Sequence, residues 1–414
     1  MNIVFNTFFI ERIGGIETYK NELALGLSEL GHKVTMFDIS LSKNPKDPKK
    51  LSFRTEEQFK KYLDLMKESD VVIFTHPCPH LNTSFSDTSW YRCYNELKQT
   101  KVAIFHETLA QRYYPWIKNV KIDKYIAVQS KAVISIKYTN AKDYLISNHP
   151  LDLIDIDLWK KDVKNLQFIA PHQWKIWKRM HLLIKSIPLL NNVKVNSFYN
   201  NRGGEFYRMR MASYYDTDIY NNGKMTHSQK ILLEYINCKN EKDKKMMEKI
   251  HGIVESYLKY KDILKKAIDS KNLLIHDYVP RSDLINFFKN SLGIIDLSTY
   301  EGYGKKLPSL TSINYSVLEG MKYACVPIVC NTSIQEPFTK DNFVVIPEGN
   351  IPQDLAKVLN TFDYSKYETL IKVNQQILRQ HYDRKIVAKN IMDYIEGKIE
   401  GKKINTRTLL SIYD

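Results

Sequence analysis

Several short groups in this 414-residue sequence have the residue types that recognise phosphorylated and hydroxylated ligands. Glu301 and Glu319 bracket a segment containing Gly302, Tyr303 and Gly304. A carboxylate accepts two hydrogen bonds from a diol, and residues without a Cβ let the backbone approach a diphosphate. The helix expected to begin near Asn314 offers N–H groups to the same anion. Taken alone, Glu-Gly-Tyr-Gly reads more readily as an ordinary turn, so the flanking residues must decide.

Three further groups carry chemistry. His106 follows an apolar run ending at Phe105, and Glu107 adjoins it; a neighbouring carboxylate orients an imidazole and raises its basicity, which suits a group that accepts or polarises a hydroxyl proton. Gln173-Trp174-Lys175-Ile176-Trp177-Lys178 places Lys175 and Lys178 where a strand ends and a helix follows, so two positive charges stand together at an element junction. The same interleaving of Trp and Lys also suits a nucleic-acid stacking patch. Gly14-Gly15 precedes a helical pattern, a weak signal by itself.

The elements that must position these residues alternate regularly. Ile3 to Phe5 with Phe8-Phe9 reads as a buried strand, Leu23, Leu27 and Leu30 recur at helical spacing, and Lys33 to Ile39 is a second strand. Apolar runs at Val71–Phe74, Val102–Phe105, Tyr125–Val128 and Tyr144–Ile146 extend the pattern. Asn148-His149-Pro150 and the acidic stretch through Asp157 read as a linker, because periodicity lapses and proline interrupts it. A second alternation runs through Leu166–Ile169, Leu273–Ile275, Gly293–Leu297, Val326–Val329 and Phe343–Ile346. The expectation is an α/β chain with two doubly wound Rossmann-like domains facing across a cleft, residues 1–155 and 156–380, followed by a helical segment 381–414 able to pack back on the first domain. Residues 200–240 read as an insertion, and the charged run from Glu241 to Lys266 as a solvated helical face.

Composition narrows the classes. The five cysteines show no zinc spacing and fit free thiols in a reducing compartment, and no stretch approaches membrane-spanning length, so a cytoplasmic protein without integral membrane contact is expected. The net charge of +15 favours a polyanionic partner, nucleic acid or an anionic membrane face, although abundant Lys, Asn, Ile and Tyr also suit an A+T-rich genome. No aspartate-rich motif points to an essential metal or other cofactor.

Residues 270–337 resemble the retaining glycosyltransferases of the GT-B fold. His276-Asp277-Tyr278-Val279-Pro280-Arg281 is similar to the strand and turn whose backbone, at Val279, holds the nucleotide base in that family. Tyr300-Glu301-Gly302-Tyr303-Gly304 is similar to its donor-site loop, and Leu318-Glu319-Gly320-Met321-Lys322 to the following helix. The resemblance implies a UDP-sugar donor, with Glu319 on the ribose, Glu301, Tyr303, Gly304, Tyr315 and Leu318 in the donor site, and Gly14 and Gly15 facing the phosphate or sugar. Lys178 matches the family's lysine, whereas Gln173 stands at its arginine position and Lys175 is the candidate replacement charge.

The family pattern separates its two glutamates by eight positions; here Lys305 to Asn314 lengthens the interval to eighteen. That lengthening, with Lys306-Leu307 and Tyr315-Ser316-Val317-Leu318-Glu319, resembles a narrower group, the DNA α-glucosyltransferases of T-even bacteriophages. His106-Glu107 is similar to the group's catalytic His-Asp pair, with Glu replacing Asp. This resemblance implies transfer of a sugar, glucose or arabinose, to the hydroxymethyl group of 5-hydroxymethylcytosine in double-stranded phage DNA within the infected host's cytoplasm. Lys43, Lys46, Lys49, Lys50, Lys60 and Lys61 are the candidate DNA-binding residues. Two rivals remain open: a bacterial envelope transferase, for capsule or lipopolysaccharide, and a non-enzymatic DNA-binding module on the same fold.

Overall fold

The structure is a computed structural model, and it describes residues 1–7, 15–38, 56–75, 91–106, 117, 119–137, 139–156, 161–172, 178–198, 238–251, 263, 266–267, 269–276, 279–298, 313–330 and 334–404. The insertion expected at 200–240 falls almost wholly outside them.

In chain order the elements that matter are β1 (Asn2–Thr7), α1 (Gly15–Glu29), β2 (Lys33–Asp38), α2 (Glu56–Lys67), β3 (Val71–Phe74), β4 (Thr100–Phe105), β5 (Lys124–Val128), α3 (Val133–Ile136) and β6 (Asp143–Ser147). There follow β7 (Gln167–Ala170), α4 (Met180–Ser186), β8 (Lys194–Phe198), α5 (Glu241–His251), β9 (Leu273–His276), α6 (Arg281–Asn290), β10 (Gly293–Asp296), α7 (Tyr315–Lys322), β11 (Val326–Cys330), β12 (Val344–Ile346), α8 (Ile351–Asn360), α9 (Glu368–His381), α10 (Arg384–Ile395) and β13 (Lys402–Lys403). They divide into two compact units: Met1–Ile154 with Leu310–Tyr315 and Gln376–Asp414, and Asp155–Ser309 with Ser316–Gln375.

The first unit holds a seven-stranded sheet in the order β13-β6-β5-β4-β3-β1-β2, parallel throughout except for β13, which runs antiparallel to β6. Its inner strands β3, β4 and β5 are buried on both sides, as the middle of a parallel sheet requires, and alternate residues serve opposite faces. Val4, Val72, Phe74, Ala103, Phe105 and Ala127 pack with Phe59, Tyr62, Met66 and Tyr94. Ile3, Phe5, Ile73, Ile104, Ile126 and Val128 pack on the other face with Tyr19, Leu23 and Leu27 of α1 and with Val387, Ala388 and Ile391 of α10. Charge locks the same helix pair: Arg384 at the start of α10 donates to Glu29 and, at 3.2 Å, to Glu22, and its guanidinium lies 3.6 Å from Asp152.

The second unit holds a six-stranded, wholly parallel sheet in the order β12-β11-β10-β7-β8-β9. Phe168, Val195, Ile295, Val326 and Ile328 form one core with Leu183 and Ile184 of α4 and with Leu355 and Leu359 of α8.

Two local readings differ from the structure. The two units divide at Ile154 and Asp155, inside the stretch that reads as a linker, but its start is held in place: His149 and Leu151 are buried, the Leu151 N–H donates to the Tyr382 carbonyl at 2.8 Å, and its carbonyl accepts from the Arg384 N–H at 2.9 Å. A bridge to a segment so distant in sequence leaves no local period to detect. Strand β8 has no counterpart among the expected strands, because buried Asn196 and Ser197 interrupt its apolar run. Asn196 is satisfied across the sheet, its carbonyl oxygen 2.8 Å from His276 Nε2.

Glycine in a helix interior costs stability relative to alanine, so Gly26 in α1 needs a reason. A Cβ there would lie 2.4 Å from the Arg384 carbonyl oxygen and 3.1 Å from Ala388 Cβ. Gly26→Ala should therefore destabilise the protein by about 1–3 kcal/mol, despite alanine's better helix propensity. Urea denaturation checks this, and a variant as stable as the parent would mean that the α1–α10 contact is not close-packed.

Candidate active site

In the second unit the expected donor residues collect where strands β7, β9 and β10 end and helix α7 begins. His172 lies just beyond β7 and is buried, with Nε2 3.4 Å from Asp296 Oδ1 and Nδ1 3.4 Å from Ser316 Oγ. Burial pushes the His172 pKa down to about 4; the Asp296 carboxylate opposes that shift, and the Lys178 charge reinforces it. The imidazole is thus neutral near pH 7. With the carboxylate facing Nε2, the proton is favoured there, and Nδ1 is left to accept from the Ser316 hydroxyl. Asp296 Oδ1 also accepts from the Ser298 N–H at 3.0 Å and from the Ser298 hydroxyl. The network fixes the last residues of β10 against the first turn of α7, whose N-terminal end carries positive partial charge.

Glu319 lies one turn further along α7. Its Oε1 accepts from Arg281 Nη2 at 2.8 Å, and its side chain is 15% exposed. Arg281 opens α6, so the ion pair sets the Glu319 rotamer beside the turn containing Val279 and Pro280. Gly320 lets α7 lie against β10: a Cβ there would come within 2.9 Å of Ile294 Cγ2. His276 ends β9 and stacks on Phe198 at 5.2 Å, with Phe287 4.6 Å away. Lys178 stands just before α4, and neighbouring Arg179 donates to Glu348 at 2.6 Å.

The first unit holds the other expected group. His106 leaves β4 with its ring edge-on to Tyr19, at 4.9 Å between centroids. Tyr19 is fully buried, which pushes its hydroxyl pKa up, and its hydroxyl is 2.9 Å from Ser147 Oγ. The aromatic run continues through His149, 5.9 Å from Tyr19, to Tyr315, 5.1 Å from His149. The Tyr315 hydroxyl donates to the Pro150 carbonyl at 2.5 Å, so this expected donor residue is engaged inside its own unit. Gly15 opens α1 with nothing within 4 Å of where a Cβ would stand, so packing does not demand glycine there. Lys60 and Lys61 are exposed on α2, and Lys61 pairs with Glu57 at 3.1 Å, a surface contact worth little.

The structure thus brings Lys178, Val279, Leu318 and Glu319 into the second unit and His106, Gly15, Tyr315, Lys60 and Lys61 into the first. Leu318 is fully buried and can offer a ligand only its backbone. Gly14, Lys43, Lys46, Lys49, Lys50, Glu107, Lys175, Glu301, Tyr303 and Gly304 lie outside the described residues. The sequence reading passed over His172, Asp296, Ser316 and Arg281 as site residues. The first two lie at strand ends, and that position was the available signal. Among the described residues, no cluster of three His, Cys, Asp or Glu could hold a metal ion, and no helix is long and apolar enough to cross a membrane.

No protein-family model matches the sequence, and no curated protein matches it. Solved structures do match the fold. The T4 phage alpha-glucosyltransferase, in complex with UDP and a 13-mer DNA containing a HMU base, superposes with a TM-score of 0.64 at 14% identity, over 95% of this chain and 98% of that one. HepE of Anabaena, in complex with UDP-glucose, gives 0.59 at 12% identity over 96% and 100%. A glycosyltransferase from Rickettsia africae gives 0.58 at 11% identity over 95% and 97%. The fold is that of the GT-B glycosyltransferases, with two Rossmann-like parallel-sheet domains.

His172 also makes stability depend on pH. In the unfolded chain it takes up a proton near its ordinary value of 6.5, but in the folded chain only near 4. Between those values the unfolded state binds more protons, so stability falls as the pH drops from 6.5 to 4 and levels off below. His181, pushed down to about 4 chiefly by burial and then by Lys185 and Arg179, acts in the same direction. The His172 contribution approaches about 3 kcal/mol. Urea midpoints at pH 7 and 4.5 should therefore converge in His172→Gln relative to the parent; an unchanged gap would remove His172 as a source of the acid sensitivity.

Proposed function

We propose that the protein is a retaining glycosyltransferase that moves glucose from UDP-glucose to the hydroxymethyl group of 5-hydroxymethylcytosine in double-stranded phage DNA, in the cytoplasm of the infected host. The observation that carries this reading is Glu319, in the second turn of α7, held by Arg281 at the start of α6 beside the Val279 turn. A carboxylate fixed in that way accepts both hydroxyls of a ribose, while the Val279 backbone meets the base. The N-terminal end of α7 and the charge of Lys178 stabilise the diphosphate as it leaves, with Lys175 as the further candidate. The bond from sugar C1 to the phosphate oxygen breaks, its electron pair leaving with UDP, as the hydroxymethyl oxygen bonds to C1, and His106 accepts the proton that the hydroxymethyl group gives up.

The DNA acceptor rests on the fold shared with an alpha-glucosyltransferase that was solved with DNA, on the lengthened Glu301–Glu319 interval and on the charge of +15. A duplex base reaches such a site only by leaving the stack, and basic surface holds the flanking phosphates.

Mass spectrometry of duplex DNA incubated with the protein and UDP-glucose or UDP-arabinose tests donor and acceptor together. A sugar mass should appear on hydroxymethylated DNA and not on plain DNA, and the yield should fall steeply with salt. Preference for a lipid-linked acceptor would replace this reading with an envelope transferase, and binding of UDP-sugar without any transfer would replace it with a non-catalytic module. Glu319→Ala should weaken UDP binding about tenfold to a hundredfold, the loss of one charge-assisted contact of roughly 1.5–3 kcal/mol. Unchanged affinity by calorimetry would remove Glu319 from the donor site.

A further inference from the structure

Gln129, which the sequence reading passed over, concentrates two unfavourable features in one residue. It follows the last residue of β5 with φ 69° and ψ 166°, a backbone region that only glycine adopts without strain. Its side chain is buried: Nε2 donates to the Ile313 carbonyl at 2.6 Å, while among the described residues Oε1 has no hydrogen-bond partner. A buried acceptor left without a donor is costly and uncommon in folded proteins.

The backbone is pinned in this state from both sides. The Gln129 N–H donates to the Ser147 carbonyl at 3.1 Å, and its own carbonyl accepts from the Ala132 N–H at 3.2 Å. The bond to Ile313 then directs the side-chain amide, so the orientation of Oε1 is set by three contacts that do not involve it. Its place in the fold is equally specific. Strand β5 lies between β4 and β6 in the parallel sheet, so Gln129 stands at the strand ends between His106 and Ser147.

We propose that Gln129 is a ligand-binding residue of the first unit, whose Oε1 accepts a hydrogen bond from a ligand hydroxyl beside His106. Two hydroxyl sources fit that chemistry, the transferred sugar and the hydroxymethyl group of the acceptor. The inference rests on the transfer reading above for the identity of the ligand, and on strain and burial for the assignment of the residue.

Two variants test it. Gln129→Gly removes the strained side-chain-bearing position, and Gln129→Met keeps the volume while removing the carbonyl. Both give up the Nε2 bond to Ile313 together with the unsatisfied Oε1, so both should unfold within a few degrees of the parent, Gln129→Gly the higher because it also releases the backbone strain, and both should lose at least tenfold in kcat/KM for sugar transfer, with UDP affinity unchanged. A rise in KM for UDP-glucose assigns the hydroxyl to the sugar, and a rise in KM for hydroxymethylated DNA assigns it to the acceptor. Transfer within twofold of the parent would overturn the proposal. A drop of several degrees in melting temperature in both variants would also overturn it, because it would make Gln129 a structural residue. The melting measurement needs no turnover, so it judges Gln129 even if the parent transfers no sugar, a result that would by itself defeat the proposed function.

Discussion

Parallel strand pairing is the constraint on which the rest of the molecule depends. Each parallel connection must cross back over a face of the sheet, so all strands of a sheet release their C-terminal ends along one edge. In the first unit that edge carries His106, Gln129 and Ser147, and in the second it carries His172, His276 and Ser298. These residues are far apart in sequence. Neighbouring pairs come together because hydrogen-bonded strands lie about 5 Å apart, a distance set by backbone geometry and independent of their own chemistry.

The same constraint explains how the site is made rigid. Strands buried on both faces leave their last residues to be held by whatever follows, and here polar groups do the holding. In the second unit Asp296 gathers Ser298 and His172, and His172 reaches Ser316 on α7. In the first unit Tyr19 holds Ser147 through its hydroxyl and braces His106 with its ring. Buried polar networks stabilise only when their members are satisfied, and Gln129 joins a buried oxygen that has no hydrogen-bond partner among the described residues to a strained backbone.

The alternation of apolar runs was readable because a parallel strand buried on both faces is a short continuous apolar segment. Val71–Phe74 and Val326–Cys330 are such segments, with every residue buried. Strand β8 escaped notice for the converse reason, since Asn196 and Ser197 are buried polar residues and the partners of Asn196 lie on other strands. Glu319 could be picked out because its neighbours form a recognisable order along the chain. Arg281, which fixes it, could not, because an ion pair between two helices leaves no mark in local spacing.

The sequence by itself determined the class of the fold, the two successive α/β alternations and the positions of Glu319, Lys178 and His106 at or near element ends. Those properties are local: they follow from hydrophobic periodicity and from residues within a few positions of each other. Only the tertiary structure decided that Leu151 bridges to Asp383, that His172 is kept neutral by burial, and that Gln129 is strained with an unsatisfied oxygen. Burial, backbone strain and hydrogen-bond satisfaction depend on what the rest of the chain brings near a residue, and one-dimensional spacing does not encode that.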